Sequence, residues 1–304
     1  MTPEMIPFEA DSLLDWRGLT DAILDGHMRP KAHIGDTFLY RGDDTMLTRS
    51  AWIDGLGSAV KTANIMPGNP GRGEPLIHGA VNLYDDTTGL LEAIVDFHLV
   101  TKWKTAGDSV LGARLLARPD SKVILIVGAG TVGRTLREAY GALFPKARFL
   151  IWNRSAAGAE RFADEDDKTD AIMSLEDGIA QADIITSATM TSEPIIKGAW
   201  LRPGQHLDLI GAYRPDMRET DDDALTRARL FMDSRDTVLD HIGEFKDPLA
   251  RGVIHKDDIV GDLYDHQAGV FQRAPEDITL YKNGGGAHLD LMTSRYILDA
   301  WRNR

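Results

Sequence analysis

An antiparallel meander followed by alternating strands and helices is what the residue order predicts, so the fold class is α/β. Two observations carry that expectation. Residues 122–155 read as strand, tight glycine loop, helix and second strand, and near Pro119 the pattern changes from turn-separated strand runs to βα alternation.

The elements follow in order. Residues 8–27 carry Leu13, Leu14, Leu19, Ile23 and Leu24 at helical spacing, and Gly26 and Pro30 break the pattern. Residues 37–40 and 45–52 flank Arg41-Gly42-Asp43-Asp44 as a hairpin, and strand-like runs at 57–66, 76–84 and 90–97 complete the meander. A helix over 101–117, with Thr101 as its N-cap, leads through Arg118-Pro119-Asp120. Lys122 to Val127 is then a nearly unbroken aliphatic run, the pattern of a strand buried on both faces of a parallel sheet.

Gly128-Ala129-Gly130-Thr131-Val132-Gly133 follows as G-x-G-x-x-G. Gly128 permits the tight turn, Gly130 lets the backbone approach a pyrophosphate, and Gly133 lets the helix over 132–143 sit close to the strand. The helix N-terminus would face the phosphates. This predicts a Rossmann dinucleotide-binding domain. At the end of its second strand, where NAD sites place an acid, stand Asn153-Arg154-Ser155. No carboxylate repels a 2′-phosphate there and Arg154 matches one bidentately, so NADP(H) is favoured over NAD(H). Further strands are expected at 147–152, 184–187, 206–210 and 230–233. The helical tail over 288–301 packs back on the first domain. The boundaries are therefore 1–118 with 288–304 for a discontinuous α+β domain, and 119–287 for the nucleotide domain.

Composition narrows the function classes. A formal net charge of −13 argues against nucleic acid or an anionic membrane as partner, and no segment reaches about eighteen apolar residues. With no cysteine, thiolate nucleophiles and Cys-ligated metals are excluded. The nine histidines show no metal spacing, and Thr220 before Asp221-Asp222-Asp223 reads as a helix start, so no metal is expected. A cytoplasmic location is the simplest expectation.

Two cationic features remain. Strand alternation puts Lys61 with Ala59, Ala63 and Ile65, either as an edge or snorkelling residue or as an inward cation for a substrate carboxylate. Lys102, Trp103, Lys104 and Thr105 sit at the expected helix start, as a solvated first turn or as cations drawn by an anion. Asn283-Gly284-Gly285-Gly286 is a close approach to a ligand or a turn.

Together Ala59-Val60-Lys61 with Pro67-Gly68-Asn69, Leu83-Tyr84-Asp85 with Thr88-Gly89, Thr101 to Ala106, the glycine loop, Thr186 to Thr189, Gly211 to Glu219 and Leu280 to Asp290 resemble the ornithine cyclodeaminase and μ-crystallin family. The resemblance implies a homodimer with an antiparallel substrate and dimerisation domain plus a Rossmann domain, handling small α-amino or α-imino acids with a nicotinamide cofactor. It makes Lys61 the substrate lysine and puts Lys104 where an arginine usually grips the carboxylate. It sets Thr105, Thr189 and Asn283 beside the cofactor. Tyr213 stands where cyclodeaminases carry an aspartate, so the resemblance points to an NAD(P)H-dependent reductase of a cyclic or acyclic α-imino acid such as Δ1-pyrroline-2-carboxylate. A lyase of the family, ornithine cyclodeaminase or hydroxyproline dehydratase, and a non-catalytic crystallin-like NADPH-binding protein are the alternatives.

Overall fold

The computed structural model describes residues 2–304, which form two compact units: residues 2–107 with 285–304, and residues 108–284. The first unit is built on a six-stranded sheet of β1 (Glu4–Ile6), β2 (His33–Arg41), β3 (Asp44–Ile53), β4 (Gly57–Ile65), β5 (Ile77–Tyr84) and β6 (Leu91–Asp96), in the order β1-β6-β5-β4-β3-β2. The meander β2 to β6 is antiparallel throughout. The sheet as a whole is mixed, because the short β1 adds in parallel along β6, a pairing too distant in sequence for periodicity to reveal.

Helix α1 (Trp16–His27) does not begin at residue 8 as its apolar spacing suggests. Residues 8–13 form a separate 3-10 turn, and Asp15 restarts the chain by accepting the Gly18 amide at 2.8 Å. Helix α2 (Phe97–Leu116) likewise departs from expectation. Its start lies four residues earlier than Thr101, because the Asp96 carboxylate accepts the Leu99 amide at 2.8 Å. Thr101 is therefore inside the helix, its hydroxyl donating back to the Phe97 carbonyl at 2.7 Å. Val81, Leu83, Val95, Leu99 and Leu19 are fully buried around this helix and sheet. Each contributes roughly 1.5–3 kcal/mol of hydrophobic stabilisation. The C-terminal helix (Ala287–Arg302) packs against β3, β4 and α1.

The second unit carries eight strands, all paired in parallel: β7 (Val123–Val127), β8 (Arg148–Trp152), β9 (Thr169–Ala171), β10 (Ile184–Ser187), β11 (His206–Leu209), β12 (Arg229–Met232), β13 (Ile259–Asp262) and β14 (Thr279–Lys282). Their order is β13-β12-β14-β11-β10-β7-β8-β9. The chain runs outward one way from β7 through β8 to β9 and then crosses to β10 and β11 on the other side, with β14 inserted between β11 and β12. The switch point thus falls between β7 and β10, where doubly wound sheets bind ligands at the carboxyl ends of the strands. Helices α3 (Thr131–Leu143), α4 (Ala156–Ala163), α5 (Leu175–Gln181), α6 (Asp222–Arg227), α7 (Arg235–Val238) and α8 (Gly243–Arg251) complete the unit. The N-cap of α6 is Asp221, not Thr220: Asp221 accepts the Ala224 amide at 3.1 Å and the Gly198 amide at 2.8 Å. Among the described residues no helix is long and apolar enough to cross a membrane, and no three His, Asp or Glu side chains gather as a metal set.

Candidate active site

In the second unit, the glycine loop joins β7 to α3 at the switch point. Gly128 has φ +115°, a conformation that L side chains rarely adopt, and an added Cβ would stand 2.9 Å from the Ala188 carbonyl oxygen beyond β10. A Cβ on Gly133 would stand 2.1 Å from the Gly128 carbonyl, so close packing of helix on loop demands glycine there. Gly130 is different: its Cβ would meet no protein atom within 4 Å, and Gly130 caps α3 without any side-chain bond to the helix amides. Thr131 and Val132 are exposed in the first turn beside it. An open space faced by uncapped helix amides fits a pyrophosphate.

Asn153 shapes this loop from β8, its side-chain oxygen accepting the Ala129 amide at 3.3 Å and its Nδ2 donating to the Ser155 carbonyl at 3.2 Å. Arg154 is exposed and has no hydrogen bond or ion pair among the described residues. Ser155 caps α4 through its backbone only.

The facing loops are tied by a residue that carried no role in the sequence. Buried Glu219 accepts from the Ser187 hydroxyl (2.6 Å), the Thr189 amide (2.9 Å) and hydroxyl (2.7 Å), and the Gly211 (2.7 Å) and Ala212 (3.1 Å) amides. The ends of β10 and β11 are thereby held together, and Thr189 is fixed with its hydroxyl turned to Glu219. Glu244 in turn accepts the Glu219 and Thr220 amides, and burial raises its carboxyl above the ordinary range. Asn283 is buried at the end of β14, donating to the Ser109 hydroxyl at 3.3 Å. Thr105 belongs to the first unit and is half-buried on α2.

The first unit holds a cationic cluster. Lys61 lies on central strand β4 and is 6% exposed, which removes the edge and snorkelling alternatives. Its Nζ donates to Asp290 Oδ1 at 2.9 Å and to Thr101 Oγ1 at 2.8 Å, and sits 4.6 Å from the Phe97 ring centroid. Arg49 is its cross-strand partner in the β3–β4 ladder, gripped by both oxygens of Asp36. Lys104 is half-buried and has no hydrogen bond or ion pair among the described residues. Burial lowers the Lys61 ammonium pKa, and Lys104 and Arg49 lower it further, against the attraction of Asp290. Burial works to raise Asp290, but Lys61, Lys104 and Arg49 outweigh it and hold the carboxyl below its usual value. The ammonium and carboxylate form a charged pair. With Asp36 and Asp290 offsetting Arg49 and Lys61, the charge of Lys104 is left over, and an anionic group fits it.

Lys102 is not part of this set: Asp11 engages it at 2.8 Å and also accepts from the Trp103 indole at 2.6 Å. Once α2 starts at Phe97, Lys102 and Lys104 no longer share the first turn.

The sequence profile of the ornithine cyclodeaminase/mu-crystallin family matches residues 45–304. The chain belongs to that family. It is 49% identical over 303 residues to a Δ1-pyrroline-2-carboxylate reductase of Paracoccus denitrificans, covering 97% of this chain and 96% of the relative. The mouse ketimine reductase mu-crystallin is 32% identical over 278 residues, 91% of this chain and 86% of that one. A solved structure of the Thermococcus litoralis Δ1-pyrroline-2-carboxylate reductase, in complex with NADH and L-proline, superposes with a TM-score of 0.88 at 25% identity. It covers 99% of this chain and 98% of that chain. Against the family pattern, Tyr213 is 57% exposed on the loop after β11, and Lys104 makes no ion pair among the described residues. Asp290 and Arg49 are the residues that sequence reading missed in the cluster. Arg49 was recoverable from the register of β3 on β4, since the short turn at residues 54–56 sets that ladder and puts Arg49 opposite Lys61. Asp290 had only its place in the first turn of the last helix to recommend it.

Proposed function

We propose that the protein reduces a small α-imino acid, Δ1-pyrroline-2-carboxylate or a close analogue, to the L-amino acid with a nicotinamide cofactor. The observation that carries the substrate half is buried Lys61, with Arg49 beside it and Lys104 in no ion pair among the described residues. Lys104 and Lys61 receive the substrate carboxylate. A dihydronicotinamide bound at the glycine loop would supply the hydride for the imine carbon. Lys61 gives a proton to the imine nitrogen, so that C=N becomes CH–NH, and the neutral amine left on Lys61 regains its proton from water. Gly128, Gly130, Thr131, Val132 and Gly133 hold the pyrophosphate, and Asn153 and Thr189 shape the walls around it. Tyr213, with no carboxylate for a substrate amine, speaks against the lyase alternatives.

The cofactor proposal is NADP(H), supported by exposed, partnerless Arg154 and the uncapped start of α4, and by the absence of a carboxylate at residues 153–155. The Thermococcus relative, by contrast, binds NADH. A homodimer is also proposed. All nine residues of β2 are exposed, and Phe38, Leu39 and Tyr40 stand 48%, 57% and 73% open on that edge strand. Reliance on a reduced nicotinamide pool supports a cytoplasmic address.

The test follows NADPH and NADH oxidation by absorbance with imino acids generated in situ. Turnover of Δ1-pyrroline-2-carboxylate is expected, and Arg154→Ala should raise KM for NADPH while leaving NADH unaffected. Ammonia or water loss from an amino acid without added NADPH would replace this reading with a lyase.

A further inference from the structure

Lys61 has three N–H donors and spends two of them, on Asp290 Oδ1 and Thr101 Oγ1. The third has no partner among the described residues. Asp290 is 1% exposed, and its second oxygen, Oδ2, is buried without a hydrogen-bond partner. A carboxylate buried purely for structure is costly unless both its oxygens are satisfied. This one accepts from a single donor, the lysine. Thr101 adds a direction, because its own hydroxyl hydrogen is committed to the Phe97 carbonyl and its oxygen is left to accept from Nζ.

We infer that Asp290 is a positioning residue that keeps Lys61 in its charged, proton-donating form and, with Thr101, turns the third N–H toward the substrate. This rests on the reductase reading above and names the residue that sets the state of its proton donor. Apart from the neutral Thr101 oxygen and the Phe97 ring, the groups facing Lys61 oppose that charge or are indifferent to it. Lys104 on α2 and Arg49 on β3 repel it, burial disfavours it, and the cross-strand neighbour on β5 is apolar Val81. The Phe97 ring face offers only a weak cation–π attraction. His288, two residues before Asp290 on the C-terminal helix, is held neutral by burial and by repulsion from His27 and the same cations. Asp290 is the one anion in the set that faces the ammonium.

The sign of the effect follows directly. Without the carboxylate the lysine loses its proton at lower pH, so the alkaline limb of activity moves toward acid while the acid side is kept. Asp290→Asn keeps the size and an acceptor oxygen for Nζ but removes the charge. With the holoenzyme and Δ1-pyrroline-2-carboxylate, D290N is expected to shift the alkaline limb of kcat/KM downward by at least about one pH unit, costing about tenfold for each unit above the new limb. Near pH 6 its turnover should stay within a few-fold of wild type, and Asp290→Glu should move the limb most of the way back. An unmoved limb, or a loss equal at every pH, would overturn the inference and leave Asp290 a structural residue. A second readout needs no turnover. Calorimetric binding of pyrrole-2-carboxylate, a planar carboxylate probe, should weaken at lower pH in D290N than in wild type, and identical pH profiles would also overturn it. Failure of the wild-type protein to reduce any imino acid would sink the reductase reading instead, and the calorimetric comparison would still decide on Asp290.

Discussion

Lys61 and Asp290 are 229 residues apart in the chain and 2.9 Å apart in space, with side chains 7% and 2% exposed. Such a pair stabilises little when intact, since desolvation offsets most of the attraction, but removing one partner strands the other. Lys61→Met should therefore cost about 3–5 kcal/mol in urea denaturation. Adding Asp290→Leu should restore most of the loss while leaving no activity, and a single variant as stable as wild type would mean the carboxylate is protonated or wet. Gly130 makes the opposite case. Because its Cβ would meet no protein atom, Gly130→Ala should leave stability within about 1 kcal/mol while weakening dinucleotide binding more than about tenfold in calorimetry, since the methyl occupies ligand space. Equal affinity would remove the pyrophosphate from this loop. At this scale the sequence was most legible where one residue type has one physical reason, as at Gly128 and Gly133. It was least legible for Asp290 and Glu219, whose meaning lies in partners from other elements.

Elements were legible where their pattern is local. The strands 57–66, 76–84 and 90–97 expected from alternation correspond to β4, β5 and β6 within a residue or so, and the glycine loop to the turn before α3. Misplaced starts came from competition between neighbouring caps. Asp96 outbids Thr101 for α2 because it precedes the first apolar turn, and Asp221 outbids Thr220 for α6 in the same way. The strands β1 and β9 were too short, at three residues each, to announce themselves. Helix α1 carries a testable consequence at its last residue. Buried His27 bonds the Ile23 carbonyl at 2.8 Å, and burial depresses its pKa to about 4. A depressed folded-state value means the stabilisation is complete above the unfolded value of 6.5 and is lost as pH falls from there to about 4, worth roughly 3 kcal/mol in all. Urea titrations between pH 7 and pH 4 should show that decline, and His27→Gln should flatten part of it. A profile identical to wild type would place the proton uptake elsewhere.

For the whole molecule, acid sensitivity is distributed over both units. His206 on β11 is buried in the second unit and depressed to about 3, mainly by burial and secondarily by Arg273, so both units lose stability over the same acid range. Association is the other property at this scale. Tyr40→Asp with Phe38→Asp on β2 should convert a dimer to monomers in light scattering without loss of secondary structure, since both side chains are exposed in the single chain. A monomeric wild type would remove the dimer proposal. The two edges of the first sheet are unequal: β2 presents nine residues, whereas β1 presents three, laid in parallel over β6. Growth of this sheet by edge pairing needs two long edges, and it has one. If two copies pair through β2 as proposed, the edge left on each is the three-residue β1, too short to recruit a third, and an apolar edge strand would be kept without an open-ended fibre.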